Sequence, residues 1–346
     1  MEYRRLGRTG LEVSVIGFGS IGARGSEGVR AMLEEGLRLG INLIDTARSY
    51  PRSEEMLGKA MANRDDFYIT SRTQSRDYDQ AEKDLNTSLE MLQTDCIDVY
   101  QLHSVSSEEE LSRVLEKDGA AHLLQQAKKD GKIRFTGLSS HHLDAAGKAV
   151  ATGLFDTLVI PFSPVEYSAK HLQLIQICKD LDVGVVAMKP LSGGSFIDRI
   201  ADTLSFILQH NIASAITGTS RVEELRQNAA AGSNLRILPL NEFDSLMAEA
   251  SQLGQSFCRR CGYCLPCTED IPIREIMMSD AYLRGSPRMV QMFGGQAGLD
   301  SFKTAVEQCT SCEECVERCP YDLPIPELLP RKLEFFEEVL SKLAAS

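Results

Sequence analysis

The chain predicts an α/β protein, a (β/α)8 TIM barrel followed by a small C-terminal α-helical domain. Three observations predict it. Short apolar, β-branched runs recur through the first 220 residues, amphipathic helical patterns lie between them, and the texture changes after Leu240, where eight of the ten cysteines crowd into two runs.

The apolar runs are Val13–Gly19, Asn42–Ala47, Phe67–Arg72, Ile97–His103, Ile133–Ser139, Thr157–Phe162, Val183–Lys189 and Ser214–Ser220. They are continuous rather than alternating, as strands buried on both faces are. Between them, Gly28–Gly40 sets Val29, Met32, Leu33 and Leu37 at helical spacing and stops at Gly40. Asp79–Gln93 repeats the pattern, and so does His122–Lys132, closed by Gly131. Strand then helix, eight times over, is the arithmetic of the barrel. Tyr3–Ser14, with Arg-Thr-Gly at its middle, suits a hairpin plugging the barrel floor. A doubly wound sheet is the other architecture of this pattern, but the glycines of Gly17–Gly25 lack the GxGxxG spacing. The barrel is expected over residues 1–255, ending in a helix at Asn241–Gln255, and the second domain over 256–346, ending in an amphipathic helix at Pro326–Leu343.

Composition narrows the function. The net charge of -12 argues against non-specific nucleic-acid binding. No apolar run is long enough for a bilayer, and no charged-then-apolar leader opens the chain, so neither membrane nor secretion is expected. Cys96 and Cys178 lie in apolar segments and read as core thiols. Eight clustered thiols in a reducing cytoplasm, the expected location, call for a metal rather than disulfides.

Residues at the carboxyl ends of barrel strands face the active site. Those positions give Asp45, Arg72, His103 and Ser139, with Tyr50 a few residues past Asp45. Tyr has a free pKa of ~10 and needs a nearby cation to serve as a proton donor at neutral pH. Arg72 supplies the cation, Asp45 holds it, and His103 positions a carbonyl. The set suits protonation of a carbonyl oxygen as hydride reaches its carbon.

The second cysteine run is Cys309-x2-Cys312-x2-Cys315-x3-Cys319-Pro320, the spacing of bacterial ferredoxins. The first is Cys258-x2-Cys261-x2-Cys264-x2-Cys267, one residue shorter before its last Cys. In this pattern the fourth cysteine of each run serves the other cluster. One [4Fe-4S] cluster therefore falls to Cys258, Cys261, Cys264 and Cys319, and the other to Cys309, Cys312, Cys315 and Cys267. Two four-cysteine zinc sites are the competing assignment, and clusters that only staple a small domain are another.

The stretches Asp45–Met61, Leu85–His103, Gly131–His141 and Val185–Gly194 resemble the aldo-keto reductases, and the resemblance runs over essentially the whole chain. One branch of that family carries a C-terminal ferredoxin-like iron–sulfur domain with a stretch much like FCRRCGYCLPC. The resemblance implies Asp45, the acid Tyr50 and His103 as catalytic residues. Arg72 stands where the family usually has Lys; it keeps the charge but brings a larger planar head that cannot give up its proton. The resemblance also implies NADP(H) or NAD(H). Ser139 and Ser140 end the fifth strand, whereas the family's Gln and Asn of the sixth are Val159 and Ser163. Lys189 and Gly193 in one loop, and Gly218, Arg221, Gln227 and Asn228 in the next, are the remaining cofactor candidates, with loop N–H groups and a helix N-terminus for the pyrophosphate.

The expected function is reduction of a small-molecule carbonyl, or oxidation of an alcohol, with NAD(P)H, linked to two [4Fe-4S] clusters and a ferredoxin-like electron partner. The alternative is an iron–sulfur electron-transfer protein whose barrel has lost ordinary nicotinamide use and binds another redox partner or substrate. A non-catalytic binding protein on the same scaffold is a third reading.

Overall fold

The computed structural model describes residues 1–22, 25–260, 262–285 and 287–345. It divides into two compact units, Met1–Pro190 with Arg199–Pro239, and Leu191–Asp198 with Leu240–Ser346.

The first unit opens with an antiparallel hairpin, β1 (Tyr3–Arg5) and β2 (Glu12–Ser14). Eight strands follow: β3 (Ile16–Gly19), β4 (Leu43–Asp45), β5 (Tyr68–Thr73), β6 (Ile97–Leu102), β7 (Ile133–Ser139), β8 (Thr157–Pro161), β9 (Gly184–Met188) and β10 (Ser214–Gly218). They close in chain order, β10 pairing with β3, and every neighbouring pair is parallel. The eight apolar runs are thus the eight staves. The hairpin plugs the floor as its sequence predicts, since Leu6, Leu11 and Val13 pack with the inward-facing Leu43, Val99, Val159 and Val186. Full burial of a Leu stabilises by about 1.5–3 kcal/mol, so the plug contributes to the barrel rather than merely capping it.

Local chemistry ends the helices where it should. The helix Ser26–Arg38 closes through Gly40, whose φ of 81° suits a glycine, and Tyr3 Oη donates to the Gly40 carbonyl at 2.8 Å. The helix Tyr78–Leu92 starts at Asp77, whose carboxylate accepts from the Gln80 N–H. The helix Glu108–Leu115, capped by Ser107, was not among the patterns recognised between strands.

The second unit is helical. Its main elements are Leu240–Gly254, Ile273–Gly285, Gly295–Glu307 and Ile325–Ala344. The last three share a core that includes Ile276, Leu299, Leu329 and Phe336. The unit begins at Leu240, ahead of the boundary expected near residue 256, and takes Leu191–Asp198 with it. Lys332 is buried, donating to Asp280 Oδ2 at 2.6 Å and to the Ser256 carbonyl at 3.0 Å. This pair ties the last helix to Ile273–Gly285 and to the segment entering the first cysteine run. Cys178 is a core thiol as expected, pushed up to about 12 by burial. Among the described residues no helix is long and apolar enough to cross a membrane.

Candidate functional sites

The carboxyl rim of β4 and β5 carries a buried ion pair. Arg72 Nη2 donates to Asp45 Oδ1. Thr70 Oγ1 donates to Asp45 Oδ2 at 2.9 Å, and Arg72 Nε to the Thr46 carbonyl at 3.1 Å. Asp45 is 6% exposed and Arg72 3%. Burial pushes the Asp45 carboxyl up, while the Arg72 charge and the Thr70 hydroxyl hold it down. Burial likewise opposes the Arg72 charge, but Asp45 and Tyr50 outweigh it and raise the guanidinium. A buried pair is tolerable when extra hydrogen bonds satisfy both partners, and here Thr70 and Thr46 do so.

The loop after β4 brings Tyr50 beside this pair. Arg48 N–H donates to the Arg72 carbonyl at 3.0 Å, and Tyr50 N–H to the Ala47 carbonyl at 3.0 Å. Buried Glu54 accepts from Arg48 and from Ser71 Oγ, the latter at 2.6 Å, fastening the loop to β5. The Tyr50 ring centroid lies 5.9 Å from the Arg72 guanidinium carbon. It also meets the His103 ring edge-on, 6.1 Å between centroids at 83°.

His103 follows β6, with Ser49 Oγ 3.4 Å from its Nδ1. Burial, then the charges of Arg72, Lys189 and Arg76, lower its pKa to about 3. The ring is therefore neutral at working pH. A stability consequence follows from linkage. The folded pKa lies below the ordinary 6.5, so between these values the unfolded chain binds a proton that the folded chain refuses. His103's neutral burial therefore costs nothing above about pH 6.5, and stability is lost as pH falls toward about 3. The urea midpoint is expected to drop between pH 7 and 5, and to drop less in His103→Gln.

In the second unit, Cys267, Cys309, Cys312 and Cys315 line one pocket with Thr268, Glu269 and Glu313. Burial raises the Cys315 thiol, and Cys309, Cys312 and Cys267 add to it. Cys312 is exposed, whereas Cys319 is buried in the helical core, with Cys258 and Cys264 packed against that core. Cys258 Sγ accepts from the Arg260 N–H at 3.4 Å. Cys261 lies outside the described residues.

Residues 15–203 match the model of the Aldo/keto reductase family, and residues 257–323 that of the 4Fe-4S dicluster domain. The chain belongs to the aldo/keto reductase family. It is an oxidoreductase of that family with a C-terminal 4Fe-4S domain. An oxidoreductase of Bacillus subtilis, YqkF, is 26% identical over 73% of this chain and 97% of its own length. L-galactose dehydrogenase of Arabidopsis thaliana is 27% identical over 70% of this chain and 91% of its own. The fold also matches the aldo-keto reductase AKR11C1 of Bacillus halodurans, with a TM-score of 0.60, 21% identity, and 73% of this chain and 96% of that one covered.

The positions expected to hold a nucleotide differ in their surroundings. Of the positions expected near an adenine, Asn228 is buried in the helix Val222–Ser233, and its Oδ1 has no hydrogen-bond partner among the described residues. Thr219 Oγ1, in the loop before it, is in the same condition. Such orphaned acceptors fit the amino donor of an adenine. Gly218 and Gln227 are exposed there. Arg221 pairs with Glu224, whose carboxylate also accepts from the Ser220 N–H at 2.8 Å. The positions expected near a nicotinamide are engaged within the chain. Ser139 Oγ accepts from the Ser104 N–H at 2.8 Å, and Ser140 Oγ is engaged with the His142 backbone. Val159 sits in the barrel's apolar interior. Gly193 belongs to the second unit, where a Cβ would stand 2.7 Å from the Ala281 carbonyl at a φ of 68°. Packing thus accounts for the glycine there. Lys189 closes on His141, Nζ to Nε2 at 2.6 Å.

Sequence reasoning missed Thr46, Thr70, Ser49 and Glu54 as supports of the rim. Glu54 carried the only signal, an acidic residue on the apolar face of a helix, where burial demands a partner.

Proposed function

We propose that the barrel reduces a small carbonyl compound, or oxidises the corresponding alcohol, with NAD(P)H, and that the second unit holds two [4Fe-4S] clusters. The observation that carries this reading is the convergence of Tyr50, Arg72, Asp45 and His103 at one rim. A bound reduced nicotinamide supplies the hydride to the carbonyl carbon. Tyr50 Oη gives its proton to the carbonyl oxygen, so hydride and proton together make the alcohol. The phenolate left behind faces the Arg72 guanidinium, whose charge offsets it. Asp45 and the Thr46 carbonyl keep that guanidinium in place. Neutral His103 orients the carbonyl oxygen by a hydrogen bond. Asn228, Gln227, Gly218 and Arg221 would hold the adenine end of the nucleotide, and backbone at Ser139 and Ser140 the carboxamide.

The clusters are assigned to Cys258, Cys261, Cys264 and Cys319, and to Cys309, Cys312, Cys315 and Cys267. The second assignment is supported by the shared pocket of its four thiols. One-electron centres of this kind suit exchange with a ferredoxin-like electron partner. A second reading has its own support. The engaged hydroxyls of Ser139 and Ser140 and the apolar Val159 favour an electron-transfer protein that has given up ordinary nicotinamide use.

The test is anaerobic. Protein shown to contain iron and sulfide is mixed with NADH or NADPH, and nicotinamide and cluster absorbance are followed together. Nicotinamide oxidation matched by cluster bleaching is the expected result. No response to either nucleotide would sink the first reading in favour of the second.

A further inference from the structure

The two cysteine runs differ in the residue that follows the fourth cysteine. After Cys319 comes Pro320, which has no side-chain donor; after Cys267 comes Thr268. The fold gives that hydroxyl a place. Thr268 lines the pocket of Cys267, Cys309, Cys312 and Cys315. Its Oγ1 lies 4.0 Å from Cys312 Sγ, within hydrogen-bonding reach of a sulfur. Thr268 is therefore joined in the chain to one of the four thiols and meets a second, 44 residues further on. Four thiols around one pocket fit an iron–sulfur cluster, whose cysteine ligands are thiolates. A thiolate only accepts, so in that state the hydroxyl is the donor.

Reduction adds negative charge to a cluster, so a hydrogen bond to a ligand sulfur stabilises the reduced form and raises the potential. Other groups at the pocket act on the same balance. Cys312 is exposed, and water also stabilises added charge. Glu269, Glu313 and Glu314 line the pocket, and their carboxylates oppose reduction. Arg318 answers Glu314 at 2.6 Å. Thr310 lines the pocket as well, and among the described residues no hydrogen bond joins its hydroxyl to a thiol.

We propose that Thr268, by donating to the Cys312 thiolate, raises the reduction potential of the cluster held by Cys267, Cys309, Cys312 and Cys315. This rests on the reading of the second unit as holding two [4Fe-4S] clusters with one ligand of each exchanged between the runs. Thr268 holds no iron; it acts through Cys312.

The test reads potentials rather than turnover. Anaerobic protein shown to contain iron and sulfide is titrated with dithionite through mediators, and the reduced clusters are followed by electron paramagnetic resonance. The wild type is expected to take up one electron per cluster. Thr268→Val keeps the shape without the hydroxyl, and Thr268→Pro copies the second run. Each is expected to move one cluster to lower potential and leave the other in place. The expected size is about tenfold in the equilibrium constant for reduction, the worth of one hydrogen bond, which is about 59 mV for a one-electron couple. Thr268→Ser keeps the donor and is expected to keep the wild-type potential, as is Thr310→Val. Unmoved potentials in Thr268→Val and Thr268→Pro overturn the proposal, and so does an equal shift in Thr310→Val. Loss of half the iron from both the Val and the Pro variant overturns it too, since Thr268 is then a structural tie between the runs. Zinc in place of iron and sulfide in the wild type ends the two-cluster reading and the proposal with it, whereas iron and sulfide with unmoved potentials end the proposal alone.

Discussion

Tyr50→Phe is expected to lower carbonyl turnover by about 10²–10⁴-fold, the range for losing a positioned general acid, while nucleotide binding stays as it was. The change is conservative in packing. Phe keeps the ring 5.9 Å from the Arg72 guanidinium carbon and edge-on to His103. What it removes is the proton and the oxygen that would carry the negative charge. His103 cannot replace it as an imidazolium, because burial and three nearby cations hold its pKa at about 3. The loss is therefore expected in kcat, with KM little changed, since the hydroxyl acts in the transition state. Single-turnover rates with wild type and variant check it, and a variant that keeps its rate would remove the phenol from the mechanism.

The second large effect concerns the cysteines. Alanine at Cys267 and Cys309 together is expected to cost about half of the iron, no more than either single change does. The reason is that Cys267 belongs to the first run in sequence but shares a pocket with Cys309, Cys312 and Cys315. Two changes in one cluster destroy it once. Alanine at Cys258 and Cys309 together, by contrast, is expected to remove nearly all the iron. Iron and sulfide per chain decide the matter, and total loss in the Cys267 and Cys309 pair would mean that each run closes on itself. The effect on folding should be local. The thiols pack against the helical core that includes Cys319, Leu329 and Phe336, and cluster binding is coupled to the folding of such a small domain.

Much of this was legible in the sequence, for definite reasons. The eight staves were readable because strands buried on both faces must be continuously apolar, and their order needed no inference once each was followed by a helix. Asp45, Arg72 and His103 were readable because barrel chemistry places side chains at strand ends, which the sequence marks. The cysteine pattern was readable because ligand spacing within a run is a local property of the chain. Other features depend on groups far apart in sequence. His103 is neutral because it is buried and because charges from Arg72 on β5, from Lys189 after β9 and from Arg76 act on it. Ser139 looked available for a cofactor, yet its hydroxyl is occupied by the Ser104 N–H. Gly193 looked like a phosphate-loop glycine, whereas the space around it is taken by Ala281. Helix Leu240–Gly254 reads as the last barrel helix but belongs to the second unit. Sequence by itself determined which side chains stand at the rim and which thiols form runs, because periodicity and spacing are carried along the chain. Only the tertiary structure decided their protonation, their hydrogen-bond partners and the unit they join, because burial and charge act through space.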